Sequence, residues 1–257
     1  MAEIFALIHS SDQFVKGVFM SVFVISDLHL STNNATKSMD VFGARWRDYH
    51  KKIEEHWRSV VSDDDTVIIP GDISWGSSLA DSLSDLKFLD SLPGQKIISK
   101  GNHDFWWSTV SKLTKFFEEN DIRSIRILNN NAIEVEDYII SGTRGWFSDP
   151  STQNTVQPTD YNKITNRESI RLRLALDEAK KLQEASGKEI LAFFHFPPLW
   201  GDFCNESFFD ILNEFGVSTC YFGHIHGCYN IPEKSEYRGV SLRLISADYI
   251  NFIPRLI

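Results

Sequence analysis

The sequence predicts a mixed α/β fold in which largely parallel strands carry polar side chains at their carboxyl ends. Two observations predict this class. Short apolar runs alternate with amphipathic helical segments through the first half of the chain, which is the rhythm of parallel α/β layers. Three shorter apolar runs then follow one another with only turn residues between them, which is typical of antiparallel pairing. The chain therefore has either a second sheet layer or one mixed sheet.

The first half of the chain is the more regular half. Its apolar runs are bounded by turn residues, and the apolar and aromatic residues between them follow the helical period. Alternation of this kind implies right-handed crossovers and parallel pairing. The predicted strands are Val22–Ser26, Thr66–Ile69 and Lys96–Ser99, and the predicted helices are Met39–Val61, Ser77–Leu92 and Ser108–Asn120.

The second half has shorter elements and one long polar loop. The loop spans Ser148–Asn166 and has the length of a lid. The run Val240–Ser246 alternates apolar and polar residues, which predicts a strand with one solvated face. The other predicted elements are antiparallel strands at Ile125–Leu128, Ala132–Val135 and Tyr138–Ser141, a helix at Arg167–Ser186 ended by Gly187, a strand at Glu189–Phe194, a helix at Glu206–Phe215 and a strand at Thr219–Phe222.

Composition and charge exclude several classes of protein. Hydrophobic residues make up 42% of the chain and charged residues 24%, as in ordinary globular proteins. The 26 basic and 35 acidic side chains give a formal charge of −9 without a basic run, so we expect no extended nucleic-acid binding. A small phosphorylated substrate is compatible with this charge, because metal ions can reverse the local balance.

The amino terminus lacks the features of a targeting or membrane segment. Residues 1–19 have no basic segment before their short apolar run, and the chain has no apolar stretch of membrane length. The first predicted strand follows Met20 closely, so residues 1–19 are interpreted as an amino-terminal extension and residues 20–257 as a single domain. The three cysteines have neither disulfide nor zinc spacing, which indicates a reducing compartment. We therefore expect a cytoplasmic protein without a membrane partner.

Polar residues gather at the ends of five predicted strands, where open α/β sheets bind their ligands. Five of the eight histidines lie there, with two aspartates and an asparagine whose amide oxygen can ligate a cation. Any one of them alone is also typical of a cap, a turn or a structural histidine. Burying them together would cost several kcal/mol unless a cation pairs them, so we predict a metal centre. The residues are Asp27, His29, Asp72, Asn102, His103, His195, His224 and His226.

Setting His103 aside leaves seven candidate ligands. With one bridging aspartate they would supply about four bonds to each of two ions and leave positions open for water and substrate. Asp27 and His29 are two residues apart, and such residues share a face of an extended chain. Nitrogen and oxygen ligands without a thiolate favour Mn, Fe, Zn, Co or Ni over Mg, Ca or Cu(I). The prediction is a catalytic site for two divalent transition-metal ions.

The order of these motifs resembles that of the calcineurin-like metallophosphoesterases, with Asp-x-His, Gly-Asp, Gly-Asn-His-Asp, a later His and Gly-His-x-His. The likeness extends from Ser26 to His226. It implies a four-layer α-β-β-α sandwich with two mixed β-sheets, and a two-metal hydrolase of phosphoester bonds. The Gly-Asp motif continues with Ile73-Ser74-Trp75-Gly76 and lacks the Asp-Arg pair of the protein Ser/Thr phosphatases, so the bacterial-type branch is favoured over that one.

The resemblance also implies a role for each site residue. One ion would be held by Asp27, His29, Asp72 and His226, and the other by Asp72, Asn102, His195 and His224. Asp72 is then the bridge and a catalytic residue, and His103 faces the substrate. A metal-activated hydroxide would attack phosphorus in line, and His103 would protonate the leaving oxygen as a general acid.

The candidate substrate contacts are Asn102, Trp107 and Arg144. Arg144 ends a strand beside the predicted lid and is interpreted either as half of a surface ion pair or as a phosphate clamp. Tryptophans near the motifs either pack in the core or form a rim for an aromatic leaving group, which slightly favours a phosphodiester or nucleotide-like substrate. The alternatives are a phosphomonoesterase acting on a small phosphorylated substrate and a non-catalytic metal-binding scaffold. These tryptophans are Trp75, Trp106, Trp107, Trp146 and Trp200.

Overall fold

The computed structural model describes residues 20–33, 37–146 and 158–257. The predicted amino-terminal extension and residues 148–157 of the predicted loop lie outside the described residues. The strands are β1 (Val22–Val24), β2 (Thr66–Pro70), β3 (Gln95–Ser99), β4 (Ile125–Ile127), β5 (Ala132–Val135), β6 (Tyr138–Thr143), β7 (Glu189–Phe194), β8 (Leu199–Trp200), β9 (Phe203–Cys204), β10 (Thr219–Phe222), β11 (Ser235–Tyr237), β12 (Val240–Leu244) and β13 (Arg255–Leu256). The helices are a 3₁₀ helix at Met39–Phe42 and the α-helices α1 (Tyr49–Val60), α2 (Leu79–Ser91), α3 (Val110–Glu119), α4 (Pro158–Ser186) and α5 (Glu206–Glu214).

Two large mixed sheets carry the fold within the described residues. The first has the order β13-β1-β2-β3-β4, in which β1 to β4 are parallel and β13 is an antiparallel edge. The second has the order β11-β12-β10-β7-β6-β5, in which the four central strands are parallel and both edges are antiparallel. Strands β8 and β9 pair separately. The parallel centres therefore place several strand ends side by side in each sheet.

The alternation of side chains along the central strands divides the core into layers. In β1, Phe23 packs with α1, α2 and α3, whereas Val22 and Val24 face the second sheet. In β7, Phe193 belongs to the same inner cluster, and Ile190 packs against α4 and α5. The layers therefore follow the order α-β-β-α, which confirms the predicted fold class.

Local sequence signals explain where the helices begin. The hydroxyl of Ser78 accepts a hydrogen bond from the N–H of Asp81 at the start of α2, and the hydroxyl of Thr109 accepts one from the N–H of Lys112 at the start of α3. Such side chains satisfy backbone donors that have no partner within the helix. Gly187 ends α4 as predicted, and its N–H donates to the carbonyl of Gln183. The helices predicted at Ser77–Leu92 and Ser108–Asn120 are confirmed to within a few residues, and so is the predicted end of α4.

The predicted antiparallel pairing of Ile125–Leu128 is wrong. Strand β4 is parallel to β3, with Ile97 opposite Arg126, and it extends the first sheet. The N–H of Leu128 continues the ladder by donating to the carbonyl of Ile98. The chain then passes to the second sheet, where β5 and β6 form the predicted antiparallel pair. Two neighbouring apolar runs thus belong to different sheets.

The solvated face predicted for the strand at Val240–Ser246 is also wrong. Strand β12 lies between β10 and β11, and every residue of β12 except the half-buried Arg243 is buried. The polar side chain of Ser241 is 8% exposed, because both faces of the strand are covered. The alternation of apolar and polar residues in this strand therefore does not correspond to a solvent-exposed face.

Two predicted helix boundaries differ from the structure. The helix predicted over Met39–Val61 is broken after the 3₁₀ helix, and Asp48, in the left-handed conformation at φ 55°, directly precedes α1. Helix α4 begins at Pro158, within the predicted loop, and not at Arg167. Proline fits the first turn of a helix, where its missing N–H has no partner to lose, so it marked a helix start and not a loop.

Across residues 20–33, 37–146 and 158–257, no helix combines the length and the apolar character needed to cross a membrane.

Candidate metal centre

The loops at the carboxyl ends of both sheets meet in one place. Asp27 makes the clearest connection between them, because the N–H of His224 donates to its Oδ1 at 3.0 Å and its Oδ2 at 2.9 Å. The hydroxyl of Ser246 donates to the same Oδ2 at 2.9 Å. The predicted ligands follow five strands, with Asp27 and His29 after β1, Asp72 after β2, Asn102 after β3, His195 after β7, and His224 and His226 after β10. The strand-end positions predicted for these residues agree with the structure.

Two glycines of the motifs allow the loops to approach so closely. A Cβ atom on Gly101 would collide with the carboxylate of Asp72, and a Cβ atom on Gly223 would collide with the carboxylate of Asp27. No other residue lacks a Cβ, so only glycine fits at either position. The glycines that precede Asn102 and His224 are therefore steric requirements of the site.

The predicted ligands are positioned by turns and not by extended chain. Asp27 has φ 59°, His29 has φ 47°, Asp72 has φ 51° and His224 has φ 69°. Such left-handed conformations cost of order 1–3 kcal/mol for residues other than glycine and concentrate at functional sites. The explanation that Asp27 and His29 share one face of an extended strand is wrong. They converge because the backbone turns at each of them.

Asp27, His29 and His226 form one compact group of ligand atoms. The Nε2 atoms of His29 and His226 are 3.1 Å apart, and Nε2 of His226 lies 3.8 Å from Oδ1 of Asp27. Two imidazole nitrogens at this distance require a shared proton or a cation, since two lone pairs facing each other repel. The group therefore has the character of a cation site.

Asp27, Asp72 and His195 form a second compact group. Nε2 of His195 lies 3.5 Å from Oδ2 of Asp72 and 2.6 Å from Oδ1 of Asn102. Nδ1 of His195 is 3.2 Å from the carbonyl oxygen of Pro70, and a hydrogen on Nδ1 would leave the Nε2 lone pair for a cation. The ring of His224 borders this group, with its centroid 5.2 Å from that of His195.

Asp72 belongs to the second group, faces His29 of the first, and has one oxygen without a hydrogen-bond partner among the described residues. Its Oδ1 accepts a hydrogen bond from the N–H of His103 at 2.8 Å. Its Oδ2 is buried and accepts none from the described residues, although it lies 3.6 Å from Nε2 of His29 and 3.5 Å from Nε2 of His195. An unpaired buried carboxylate oxygen is costly, and a divalent cation would pair it. These residues therefore fit the metal ions that the motifs imply.

Burial moves the pKa values of the cluster toward the uncharged forms. Burial raises the pKa of Asp27 to about 6 and, with the neighbouring carboxylates, raises the pKa of Asp72 well above its usual range. Burial and the neighbouring imidazoles lower the pKa of His29 and His195 well below 6.5, and that of His224 to about 4. These three imidazoles are thus neutral ligands near pH 7, and the carboxylates gain stability from a bound cation.

His103 lies at the rim of the cluster. Its ring centroid is 4.4 Å from that of Trp75 and 5.5 Å from that of His29, and its Nδ1 is buried without a hydrogen bond to any described residue. Burial and the imidazole of His226 lower the pKa of His103. The ring is therefore neutral at pH 7 until an anion approaches it, because a neighbouring negative charge favours the protonated form.

Asp104 has a structural role that the sequence analysis did not assign. Its carboxylate is fully buried and accepts five hydrogen bonds, which tie the loop after β2 to the loop after β3. Oδ1 accepts from the N–H groups of Ile73 (2.9 Å) and Ser74 (3.2 Å) and from Nε1 of Trp106 (3.0 Å), and Oδ2 accepts from the N–H groups of Asp72 (2.9 Å) and Gly101 (2.8 Å). Asp104 is the last residue of the Gly-Asn-His-Asp motif, and this position is the sequence feature from which its role could have been predicted.

Asp248 was also missed. Its Oδ1 lies 2.8 Å from Nδ1 of His226, and its Oδ2 accepts hydrogen bonds from the N–H of Gly227 and the hydroxyl of Tyr229. Burial works to lower the pKa of His226, but the carboxylates of Asp248 and Asp27 outweigh it and raise that pKa. Asp248 closely follows β12. A carboxylate after the end of this strand is the sequence feature from which its role could have been predicted.

Arg144 and Trp107 line a cavity that adjoins the centre. The cavity has a volume of about 370 Å³. Among the described residues the Arg144 side chain forms no ion pair or hydrogen bond, and its guanidinium lies 5.8 Å from the ring centroid of Phe196. The interpretation of Arg144 as half of a surface ion pair is therefore not supported by a partner among the described residues. Asn102, in contrast, lies within the second ligand group.

The tryptophans near the motifs have different surroundings. Trp75 stacks on His29 at 5.0 Å between ring centroids, so it adjoins the centre, as Trp107 adjoins the cavity. Trp106 is 2% exposed and belongs to the core. Trp146 packs near Phe196, and Trp200 packs against the core of the second sheet. Two of the five tryptophans are therefore placed to contact a ligand.

Two solved structures that match the chain are distant in sequence. TT1561 of Thermus thermophilus is 8% identical, with 90% of each chain covered and a TM-score of 0.53, which shows a likeness of fold alone. AQ665 from Aquifex aeolicus, a protein of unknown function, is 15% identical over 92% of this chain and 95% of that chain, with a TM-score of 0.48. No curated protein matches the chain.

The family comparison is more informative. The family model of the calcineurin-like phosphoesterases matches residues 20–228, a range that contains every predicted ligand. This match and the two Asp/His groups support metal-dependent hydrolysis of phosphoester bonds. The chain belongs to the calcineurin-like phosphoesterase family.

Proposed function

We propose that the chain hydrolyses phosphoester bonds of a small phosphorylated substrate with two divalent transition-metal ions, as a member of the bacterial-type branch. The observation that carries this proposal is Oδ2 of Asp72, which is buried without a hydrogen bond from any described residue and lies 3.6 Å from Nε2 of His29 and 3.5 Å from Nε2 of His195. A carboxylate oxygen between one histidine of each group is what a bridge between two ions requires.

The order of the motifs suggests how the ligands divide between the two ions, although Asp27 belongs to both compact groups. Asp27, His29, Asp72 and His226 would hold one ion, and Asp72, Asn102, His195 and His224 would hold the other. Asp248 would orient His226 through their contact of 2.8 Å. Bound there, Mn, Fe, Zn, Co or Ni would supply an activated water nucleophile and would neutralise charge on the phosphoryl oxygens.

His103 is the proposed general acid. The backbone N–H of His103 donates to Oδ1 of Asp72, and the ring of Trp75 packs beside the imidazole. These contacts hold the imidazole at the rim of the cluster. A phosphoester bound at the centre would bring negative charge toward the unpartnered ring and favour its protonation. His103 would then donate a proton to the leaving oxygen.

The substrate contacts support a nucleotide-like ester. Trp75 offers an aromatic surface beside His29 and Trp107 offers one in the adjoining cavity, which favours a phosphodiester or nucleotide-like substrate over a small phosphomonoester. Asn102 and Arg144 complete the proposed contacts. The full set of ligand residues speaks against a scaffold that binds metal without turnover.

Elemental analysis and turnover test the proposal together. The purified chain should contain about two transition-metal ions, and with added Mn it should hydrolyse bis(para-nitrophenyl) phosphate faster than para-nitrophenyl phosphate. Asp72→Asn should lose both ions, whereas His226→Ala should retain one, because only the bridge serves both. Asp210→Asn, at an exposed ion pair with Arg238, is the control and should retain metal and turnover.

The outcomes separate the parts of this proposal. Two ions retained in Asp72→Asn would refute the assignment of the bridge. Metal without turnover on either ester would favour the scaffold, and faster monoester hydrolysis would favour the phosphomonoesterase.

A further inference from the structure

The cavity beside the centre is lined mainly by positive charge. Lys100, Arg144, Arg167 and Arg171 line it, and Glu168 is the carboxylate among its lining residues. The chain as a whole has a formal charge of −9, so this concentration of cations does not follow from the composition. Clustered cations repel one another in a cavity unless an anion is bound among them.

Glu168 does not neutralise this charge. Its carboxylate is fully buried and lies 2.6 Å from Nη1 of Arg171, 3.9 Å from Nε of Arg167 and 2.8 Å from the hydroxyl of Thr143, which donates to it. These contacts leave Lys100 and Arg144, whose side chains form no hydrogen bond or ion pair with the part of the chain that the structure describes. Among the described residues, the cavity therefore has a positive excess, and two of its cations have no fixed partner.

The cavity shares its backbone with two ligand-bearing loops. Lys100 directly precedes the Gly101-Asn102 turn after β3, and the carbonyl oxygen of Arg144 accepts the N–H of His195 at 3.2 Å. Lys100 is thus two residues from Asn102, and Arg144 is joined to His195 by a backbone hydrogen bond. Both Asn102 and His195 are proposed ligands of the second ion. A molecule bound at the centre therefore has this cavity beside it.

We propose that this cavity binds a second phosphate group of the substrate, so that the preferred substrates carry two phosphate groups, one at the centre and one among these cations. The proposal rests on the proposed function for the first of the two sites. Guanidinium groups form paired hydrogen bonds with phosphate oxygens, and the excess of positive charge matches a phosphate dianion better than the single charge of a carboxylate. Arg144 is then a specificity-determining residue.

Binding of two phosphonates that cannot be hydrolysed tests the proposal without relying on turnover. Trimethylene diphosphonate carries two anionic groups and propylphosphonate carries one. Calorimetry on the full-length, metal-loaded chain should find the diphosphonate bound about tenfold more tightly or better. This advantage should vanish in Arg144→Gln and in Lys100→Gln. Arg173→Gln is the matched control, because Arg173 lies on the same helix as Arg171 but pairs with Glu214 at the surface, and it should retain the advantage.

The outcomes distinguish this inference from the proposed function. Equal affinities for the two phosphonates in the unmodified chain, or an advantage retained in both cavity variants, would overturn the second phosphate site. An advantage that depends on Arg144 in a chain without turnover on any phosphoester would leave the anion site standing and refute the proposed function.

Discussion

Replacing Asp104 by Asn tests whether one buried carboxylate holds the two central loops of the site together. The carboxylate accepts three N–H donors on Oδ1 and two on Oδ2. An amide has one oxygen, and its NH₂ group cannot accept. In the less costly orientation the NH₂ group would face the two donors of Oδ2, which are the N–H groups of Asp72 and Gly101.

The expected magnitude follows from those two stranded donors. Each buried donor without an acceptor costs about 1–3 kcal/mol, so the pair would cost about 2–6 kcal/mol. Removing the buried charge offsets part of this cost, because the Asp104 carboxylate repels the Asp72 carboxylate and so helps to raise the pKa of Asp72. We therefore expect Asp104→Asn to lower the free energy of unfolding by about 2–4 kcal/mol, a large part of a typical domain's stability.

Asp65→Asn is the matched control. Asp65 is also buried and accepts two backbone N–H groups, one on each oxygen, from Ser21 and Ser62 at 2.7 Å. Its amide would strand one donor and cost about 1–3 kcal/mol. Asp65 precedes β2, whereas Asp72 follows it, so the control lies at the far end of the same strand.

Urea unfolding and metal analysis decide between the two variants. Asp104→Asn should lose more stability than Asp65→Asn and should also release metal on dialysis, because the loops that carry Asp72 and Asn102 lose their common acceptor. Equal stability losses would refute the count of stranded donors. Equal metal loss would mean that general destabilisation, and not the junction between the loops, controls metal binding.

Three further predictions concern His103, Lys96 and Asp248. His103→Asn should keep both ions and slow alkyl phosphoester hydrolysis by roughly 10²- to 10⁴-fold, with a smaller loss on para-nitrophenyl esters, since nitrophenolate leaves without a proton. Equal losses on both ester classes in steady-state assays would exclude proton donation by His103. Burial lowers the pKa of Lys96 from 10.5 to about 8, so the unfolded chain holds more protons above pH 8 and the stability contributed by Lys96 should increase as pH rises from about 8 to 10. Urea unfolding should show this slope relative to Lys96→Met, and identical slopes would contradict the lowered pKa. Asp248→Asn should weaken metal binding about 10- to 100-fold by freeing His226, with Asp210→Asn as the unaffected control, and unchanged affinity by metal titration would show that Asp248 does not position that ligand.

The carboxyl-end position of the site could be predicted because its signals are local. A run of apolar residues predicts a buried strand, and the polar residue that follows it in the sequence must lie at the end of that strand. Asp27, Asp72 and His195 were located in this way, and the order of the motifs was enough to predict the four layers. The steric need for Gly101 and Gly223 agrees with the same motifs, although only the structure shows which carboxylates those glycines accommodate.

The tertiary structure alone decided the partners of these residues. Strand β4 joins the first sheet and β5 the second, although three residues separate their predicted runs, because strand pairing depends on distant chain segments and not on local periodicity. The left-handed turns at Asp27 and His29 replaced an extended face for a similar reason, since distant segments hold them: the N–H of His224 donates to Asp27, and the N–H of His29 donates to the carbonyl of Asp72.

The charged residues around the site show the same difference between what the sequence predicts and what the tertiary structure decides. Asp104 and Asp248 are ordinary acidic residues in the sequence, and their roles arise from hydrogen bonds to loops that the fold brings to them. The cationic cavity combines Lys100 after β3 and Arg144 after β6 with two arginines of α4, which no spacing rule relates. The sequence by itself determined which chemical groups stand at the strand ends, whereas the packing of two sheets decided which of them meet, because burial and charge pairing act through space.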